Sequence, residues 1–387
     1  MSTIIYMDNA ATTQLDQNVL EVMMPFMTDV YGSASTIYSL GREASVAIEN
    51  ARDSVAKLIN ASPSEIYFTS GGSESDNWAI TGVCEAKKSK GNHIITTAVE
   101  HHAVLETYHN MEKKGFEVTI LPVDNLGRIS IEEFENALRD DTILVSVMHA
   151  NNEIGTIMPI SEIGTICKKK GIHLHVDAVQ SVGHISVDVE KLNCDSLALS
   201  AHKFYGPKGV GALYIKKGSR CKKFIHGGSQ ERNLRAGTHN VVGIVGLGKA
   251  CEIALEDFEK ESEKTIILRD KIIEGVLTSI ADTKLNGDID NRLPNNVNFA
   301  FKGIEGESII LFLDMKGICA SSGSACTSGS LDPSHVLMAI GLPHEQAHGS
   351  LRLTLGKYNT MQDVETLLLE LPPIISRLRM MSPLYNN

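Results

Sequence analysis

Several features that would place the chain in a special class are missing from its 387 residues. Its seven cysteines form no CxxC pair, and this pattern suits a reducing cytosol better than a disulfide framework or a zinc ribbon. Its longest apolar runs, such as residues 143–147, are far shorter than the roughly 20 residues that a bilayer span needs. The first eleven residues include an acid and no basic cluster, so they predict no secretory signal. We therefore expect a cytoplasmic protein with no membrane partner.

Positive charge is also in short supply. The chain has 36 Lys and Arg against 47 Asp and Glu, a net charge of -11, which disfavours direct binding to nucleic acid. No segment of about 20 to 50 residues repeats itself, so solenoids and propellers are excluded. Hydrophobic residues at 42% and charged residues at 21% are typical of a globular protein, and the length predicts two or three packed units.

Short apolar runs alternate with amphipathic stretches between residues 65 and 214. The runs are IYFTS, HIITT, EVTILPV, ILVSVMHA, HLHVDA, SLALSA and GALYI. This alternation is typical of a largely parallel sheet covered by helices. The sequence therefore predicts an α/β fold whose large domain has a mostly parallel seven-stranded sheet sandwiched by helices. Ligands of such sheets bind where the strands end and the loops begin.

The rest of the chain predicts a smaller α+β domain. A long charged amphipathic stretch at residues 242–280 favours a connecting helix, and the strand-like runs NNVNFAF, SIILFLD, GICASSG and LRLTLG follow it. We place the large domain at residues 16–255 and the small domain at residues 1–15 and 256–387.

A glycine turn stands at the end of the first apolar run, in TSGGSESDNWAI. Gly71 and Gly72 permit a tight turn, and Ser73 occupies the predicted helix N-cap. Such a turn offers free N–H groups and a helix dipole to an anion. Many helices start in this way without binding a phosphate, so the motif is weak by itself.

Two further motifs place reactive side chains at strand ends. HLHVDAVQS puts Asp177 at the end of an apolar run, with Gln180 three residues later. SLALSAHKFYGPKG puts Ser200, His202 and Lys203 before a glycine-rich turn. Taken singly, the acid could be a solvated loop residue and the lysine an ordinary surface residue.

Together the three motifs supply what pyridoxal phosphate requires: an anion cradle, an acid for the ring nitrogen and an amine. Lys203 would hold the cofactor covalently, and Asp177 would keep the pyridine nitrogen protonated. His101, in AVEHHAV, could stack on the ring or shuttle protons, although a plain loop histidine is the alternative. The other expected contacts are those of Ser73, Ser200 and His202 with the phosphate and of Gln180 with the phenolate oxygen.

Cys326 lies in ASSGSACTSGSLDP, a run of small residues that cannot form a core. We expect an exposed, mobile loop, which suits a nucleophilic thiol. Arg352, in LRLTLG, could hold an amino-acid carboxylate, and Arg235 and Thr238 could meet another anion. A structural ion pair is the alternative for both arginines.

Residues 344–348, HEQAH, match the H-E-x-x-H zinc pattern. That pattern needs a long helix to put both imidazoles on one face. Pro343 precedes it and Gly349 follows it, so we expect barely two helical turns there and no metalloprotease.

The chain resembles the cysteine desulfurases of the NifS/IscS type, in the class V aminotransferase family of fold-type I pyridoxal-phosphate enzymes. The resemblance runs nearly end to end and is carried by YMDNAATT, HANNEIGT, HVDAVQS, SAHKFYGPKG, RAGT and SSGSACTS. The chain differs from the family pattern at residues 33–36 and at Tyr38, where the family usually has GNPSS and a histidine.

The resemblance implies an enzyme that takes sulfur from L-cysteine, leaving L-alanine and a persulfide on Cys326. It also implies a homodimer in which Thr238 reaches the neighbouring subunit's phosphate. The resemblance further implies a partner protein that accepts the sulfur, such as an iron–sulfur scaffold or a tRNA-thiolating enzyme. No resident metal is expected, apart from a transient iron–sulfur contact at Cys326. Asn152 and Arg352 would bind the substrate carboxylate, and the implied cofactor contacts are Gly72, Ser73, His101, Asn152, Asp177, Gln180, Ser200, His202, Lys203 and Thr238.

Three alternatives stay open. A selenocysteine lyase or an aminotransferase would share Lys203 and Asp177 but would not depend on Cys326. A non-catalytic sulfur carrier would bind no cofactor and would be colourless. A zinc hydrolase would depend on His344.

Overall fold

The structure, a computed structural model, describes residues 4–322 and 333–385. Its strands are β1 Ile5–Tyr6, β2 Ile66–Thr69, β3 His93–Thr97, β4 Glu117–Leu121, β5 Thr142–Met148, β6 His173–Asp177, β7 Ser196–Ser200, β8 Gly211–Ile215, β9 Thr283–Leu285, β10 Asn296–Phe301, β11 Ile318–Cys319 and β12 Ser350–Thr354. Its α-helices are α1 Gln17–Thr28, α2 Ser39–Leu58, α3 Gly72–Lys87, α4 His102–Lys113, α5 Ile131–Ala137, α6 Ile160–Lys170, α7 Val189–Leu192, α8 Val241–Ser279, α9 Gly306–Asp314, α10 His335–Ala339, α11 His344–His348 and α12 Met361–Met381.

The predicted seven-stranded sheet is confirmed. Its order is β2-β8-β7-β6-β5-β3-β4, and its strands arise from the seven apolar runs. Neighbours from β7 to β4 are parallel, whereas β8 is antiparallel to both β7 and β2. All seven residues of β5 are buried, as expected of a strand covered by helices on both faces. The carboxyl ends of β3, β5, β6 and β7 consequently share one edge of the sheet.

A second hydrophobic cluster belongs to a smaller α+β unit. β12, β10 and β9 form an antiparallel sheet, and β1 pairs in parallel with β11. Helices α9 and α12 and the second half of α8 cover this sheet. The run SIILFLD, which the sequence predicted as a strand, lies instead in helix α9. Ile309 and Leu313 are four residues apart and both buried, so the run presents one apolar face at helical spacing.

The long helix α8 joins the two units without interruption over 39 residues. Ala254 is its last residue in the first hydrophobic cluster, and Leu268 is its first in the second. The domain boundary at residues 255 and 256 therefore falls inside a helix and stays a prediction. Among the described residues, no helix combines the length and apolar character that crossing a membrane would take.

Candidate functional site

The turn after β2 forms a narrow cradle at the carboxyl edge of the sheet. Gly71 is the N-cap of α3, with φ of 152° and ψ of -176°. Residues other than glycine rarely adopt this backbone conformation. The prediction that Ser73 is the N-cap is wrong, because the helix already begins at Gly72. A Cβ atom on Gly72 would lie 2.6 Å from Val179 Cγ2, and one on Gly71 would lie 3.7 Å from Ser200 Oγ. Both glycines therefore let the loops from β2, β6 and β7 approach closely.

Lys203 follows β7, one short turn beyond Ser200. Its Nζ donates hydrogen bonds to the carbonyl oxygens of Ala10, at 2.5 Å, and Ala11, at 2.9 Å. Gln180 Nε2 donates to the same Ala10 oxygen, at 2.9 Å. The N-terminal segment thus forms a wall of the site, a role that the sequence analysis missed although YMDNAATT was noted as a motif.

Asp177, at the end of β6, is 6% exposed. Its Oδ1 accepts a hydrogen bond from Val179 N at 2.9 Å. Burial raises the pKa of this carboxyl group, while the nearby His101 and Lys203 act to lower it. The structure thus brings the predicted acid, the predicted amine and the predicted histidine within electrostatic reach of one another.

His101 caps helix α4. Its Nδ1 accepts a hydrogen bond from Ala103 N at 3.1 Å, so this nitrogen carries no proton. Burial lowers the pKa of the ring, and the charge of Lys203 lowers it further, although Asp177 acts in the opposite direction. The side chain is therefore held by a specific backbone contact, unlike that of a plain loop histidine.

His202 is half-buried beside the N-terminal segment. Its Nδ1 lies 3.2 Å from Thr12 Oγ1, and the Thr13 hydroxyl donates to the His202 carbonyl oxygen at 3.1 Å. Burial lowers the pKa of the imidazole to about 4, helped by the charges of Lys203 and Lys208. The ring is therefore neutral near pH 7 and can donate or accept a hydrogen bond without carrying charge.

Asn152 and Arg352, the predicted substrate pair, are in contact. Arg352 Nη1 donates to the Asn152 carbonyl oxygen at 3.1 Å, and its Nη2 is paired with Asp8 Oδ1 at 2.9 Å. The Nε atom is buried and has no hydrogen-bond partner among the described residues. Asp8 was missed because nothing in the local sequence shows a contact between residues 344 positions apart.

The loop that carries Thr238 is tied to the glycine cradle. Arg235 Nε lies 2.8 Å from Glu74 Oε1. This arginine therefore forms a structural ion pair, which was the alternative to its contact with an anion. Glu74 Oε2 also accepts a hydrogen bond from Ser70 N at 2.9 Å. Thr238 itself is exposed.

Arg52 and Glu231 form a buried ion pair at the base of the same loop. Their side chains make two hydrogen bonds of 2.8 and 2.9 Å, and the Glu231 carboxylate also meets His239 at 2.9 Å. Glu231 begins three consecutive residues with positive φ values. The pair therefore stabilises a turn whose backbone is strained.

Cys326 lies outside the described residues, but the described chain on either side of it reaches the site. Ser321 exchanges backbone hydrogen bonds of 2.7 and 3.2 Å with Arg352. On the other side, His335 Nε2 contacts the Glu100 carbonyl oxygen at 2.9 Å, and the Ser334 hydroxyl donates to Glu153 at 2.5 Å.

The H-E-x-x-H match occupies a helix of only five residues, α11. The imidazole rings of His344 and His348 lie 4.7 Å apart, centroid to centroid. Within residues 4–322 and 333–385, no group of three or more His, Cys, Asp or Glu side chains is placed to hold a metal ion.

Known proteins resemble this chain over almost its whole length. The family model for class-V aminotransferases matches residues 5–367. A relative from Clostridium botulinum (strain Hall) named cysteine desulfurase IscS is 57% identical, and the match covers 100% of this chain and 98% of the relative. A solved NifS-like protein superposes with a TM-score of 0.91 at 42% identity, covering 97% of this chain and 100% of that one. The solved structure of SspA in complex with cysteine gives 0.82 at 38% identity, covering 92% and 100%.

Proposed function

Since the chain belongs to the aminotransferase class-V family, we propose that it is a pyridoxal-phosphate-dependent cysteine desulfurase, which removes sulfur from L-cysteine and releases L-alanine. Relatives with the name cysteine desulfurase match 98–100% of the chain. The observation that carries the proposal is the convergence of Lys203, Asp177 and the glycine cradle at one edge of the sheet. An amine, a buried acid and an anion cradle are the groups that this cofactor needs from a protein.

The residues at this edge fit pyridoxal phosphate. The cradle leaves no space for a side chain at Gly72, so backbone N–H groups at the start of α3 can approach a phosphate closely. Ser73, Ser200 and the neutral His202 complete the proposed phosphate site, with Thr238 contributed by a second subunit. The other proposed cofactor contacts are those of His101, Asn152, Asp177, Gln180 and Lys203.

When bound, pyridoxal phosphate supplies an electron-accepting ring that acidifies the α-hydrogen of an amino acid. Lys203 would hold the cofactor covalently, and its free Nζ would be the base that takes the α-proton of the substrate. Asp177 would carry the negative charge that keeps the ring nitrogen protonated. Asn152 and Arg352 would orient the substrate carboxylate, and the Nε of Arg352, which has no partner in the described part of the chain, is an available donor.

Cys326 is the proposed sulfur acceptor. Its thiolate attacks the sulfur of the substrate, so that an S–S bond forms and the Cβ–S bond breaks. The electron pair of the broken bond stays with the substrate carbon, which takes up a proton and becomes the methyl group of alanine. We assign the movement of that proton to His101. We propose that the persulfide then passes to an acceptor protein, such as an iron–sulfur scaffold.

Two substitutions test the assignment on purified protein. Lys203→Ala should remove the visible absorption of the bound cofactor and abolish activity. Cys326→Ala should keep that absorption but lose the release of sulfide and alanine from cysteine in the presence of a reductant. Cys319→Ala is a matched cysteine control and should keep both properties. Sulfide release at the wild-type rate from Cys326→Ala would refute the persulfide step.

A comparison of substrates separates the main proposal from a selenocysteine lyase. We expect Cys326→Ser to lose activity on cysteine, because the hydroxyl group cannot accept sulfur. A lyase that does not depend on this thiol would keep its activity on selenocysteine in the same variant. Equal activity of the variant and the wild type on cysteine would favour the alternative.

We propose a homodimer because large apolar side chains lie exposed along α1, α2 and the turn between them. Ile37 is 90% exposed and Tyr31 is 75% exposed. A second copy would bury this surface and would bring its Thr238 to the phosphate site. The expected mass in solution is twice that of the chain, and a monomer with full activity would contradict the shared site.

The cysteines of the described residues are all free thiols, which supports a cytoplasmic location.

A further inference from the structure

Three buried carboxyl groups interact electrostatically with one another. Asp76 is on α3, Glu100 precedes α4 and Asp177 ends β6, and these residues are 1%, 0% and 6% exposed. Burial raises the pKa of both Asp76 and Glu100, the charge of Asp177 raises both further, and Glu100 also raises that of Asp76. The mechanism above uses only Asp177, so the other two acids need an explanation.

Glu100 has hydrogen bonds on one oxygen only. Its Oε1 accepts from Thr97 Oγ1 at 2.6 Å and from Met148 N at 3.0 Å. Its Oε2 is buried and has no partner among the described residues. A carboxylate without a compensating charge is strongly disfavoured in such a place, and burial raises the pKa of Glu100 to about 8.

Asp76 is partnered by a neutral imidazole. His175 Nε2 lies 3.1 Å from Asp76 Oδ1, and burial lowers the pKa of this histidine to about 3. His175 Nδ1 lies 3.0 Å from Ser196 Oγ, which is also 2.8 Å from His173 Nε2. A protonated Asp76 can therefore donate to His175, and every hydrogen bond along this chain is then satisfied without any charge.

Glu231 is a buried carboxylate that is charged, and its hydrogen-bond partners differ from those of Glu100 and Asp76. It is 5% exposed, yet its oxygens meet Arg52 twice, His239 once and the Phe68 N–H group once. These partners lower the pKa of Glu231 to about 2 despite its burial. Within residues 4–322 and 333–385, Glu100 and Asp76 have no comparable set of donors.

We propose that Glu100 and Asp76 are positioning residues that stay protonated, so that Asp177 carries the only negative charge of the cluster and directs it at the ring nitrogen. This inference rests on the proposed function. The groups that face Glu100 are Asp76 on α3, Tyr108 on α4, Asp177 on β6 and His335 on α10, which contacts its carbonyl oxygen. Burial lowers the pKa of His335, so this ring brings no positive charge near pH 7.

Glu100→Gln tests the protonation, because glutamine has the shape of the neutral acid and its oxygen can keep both hydrogen bonds of Oε1. The pKa of Glu100 in the folded protein lies above the value of 4.5 for an ordinary glutamate. Its stabilising effect is therefore complete below pH 4.5 and is lost as the pH rises through about 8. The unfolding constant of the wild type relative to the variant should rise about tenfold per pH unit across this interval.

Urea unfolding of the holoprotein at several pH values measures this ratio. Glu231→Gln is the matched control, since its effect should not change with pH above 4.5. A pH-independent ratio for Glu100→Gln would overturn the proposal. If Glu100→Gln does not fold, Asp76→Asn takes its place, because its amide can donate to His175. A pH-independent ratio for Asp76→Asn would also overturn the proposal.

The visible absorption of the bound cofactor links the acids to the ring. In the wild type, ionisation of Glu100 adds a second negative charge and should produce a spectral transition near pH 8. Glu100→Gln should lack that transition. An identical transition in both proteins would overturn the role assigned to the acids even if the stability ratio varied with pH. Colourless wild-type protein would instead refute the proposed function, and the stability ratio would still report the protonation of Glu100.

Discussion

Replacement of Glu231 by glutamine removes one charge from a buried ion pair while nearly keeping its shape. The amide oxygen can still accept the hydrogen bond from Phe68 N, so the main losses are the hydrogen bond with His239 and the ion pair with Arg52. The pKa of Glu231 falls from 4.5 to about 2, which corresponds to about 3 kcal/mol of stability. Breaking a buried pair by removing one partner typically costs about 3–5 kcal/mol, because the other charge is left uncompensated. We therefore expect Glu231→Gln to lower the free energy of unfolding by roughly 3–4 kcal/mol.

Urea unfolding at a fixed protein concentration measures this loss. Because the folded-state pKa is depressed, the contribution is fully present above pH 4.5 and is lost as the pH falls toward about 2. The difference between wild type and variant should therefore be constant near neutral pH and shrink only in acid. Glu117→Gln is the control, because its pair with Arg139 is exposed to solvent and should contribute little. A loss below about 1 kcal/mol for Glu231→Gln would refute the reasoning.

Three further predictions concern other parts of the molecule. Gly72→Ala should weaken retention of pyridoxal phosphate, measured by titration of the apoprotein, because the new Cβ would lie 2.6 Å from Val179 Cγ2. Tyr108→Phe should lower the free energy of unfolding by about 1–3 kcal/mol, because it removes a buried hydroxyl that donates to the Ile95 carbonyl oxygen and is hydrogen-bonded to the Ser146 hydroxyl; unchanged stability would contradict this. Thr360→Ala should cost about 1 kcal/mol by the same measurement, because Thr360 and Asp363 form a capping box at the start of α12; Thr360→Ser, which keeps the hydroxyl, should cost much less.

The central sheet could be predicted from the sequence because its strands are short, apolar and fully buried. β5 is the clearest case, since an unbroken apolar run between polar segments suits a strand covered on both faces. The same reasoning failed for SIILFLD, because consecutive apolar residues fit a buried helix as well as a strand. Ser73 was misplaced for a different reason. A capping serine is the usual helix start, but here Gly71 takes the cap with a backbone conformation that favours glycine.

The strand-end motifs predicted the amine and the acid of the site, because both follow apolar runs that end at one edge. Contacts between distant segments could not be predicted in this way. Asp8 meets Arg352, and Glu100 lies in the same buried cluster as Asp177, yet no local pattern marks either acid. One signal was available in HLHVD: residues two apart on a strand share a face, which places His175 on the same side as Asp177.

The N-terminal segment has a consequence for the order in which the enzyme is made. Asn9 Nδ2 donates to the Thr354 carbonyl oxygen at 2.8 Å, and the next two residues supply the carbonyl oxygens that meet Lys203. On a ribosome, the lysine and the sheet that bears it emerge well before β12 is translated. The pocket therefore acquires this wall only after β12 has been translated, so pyridoxal phosphate would be captured firmly from that point on and not by a shorter nascent chain.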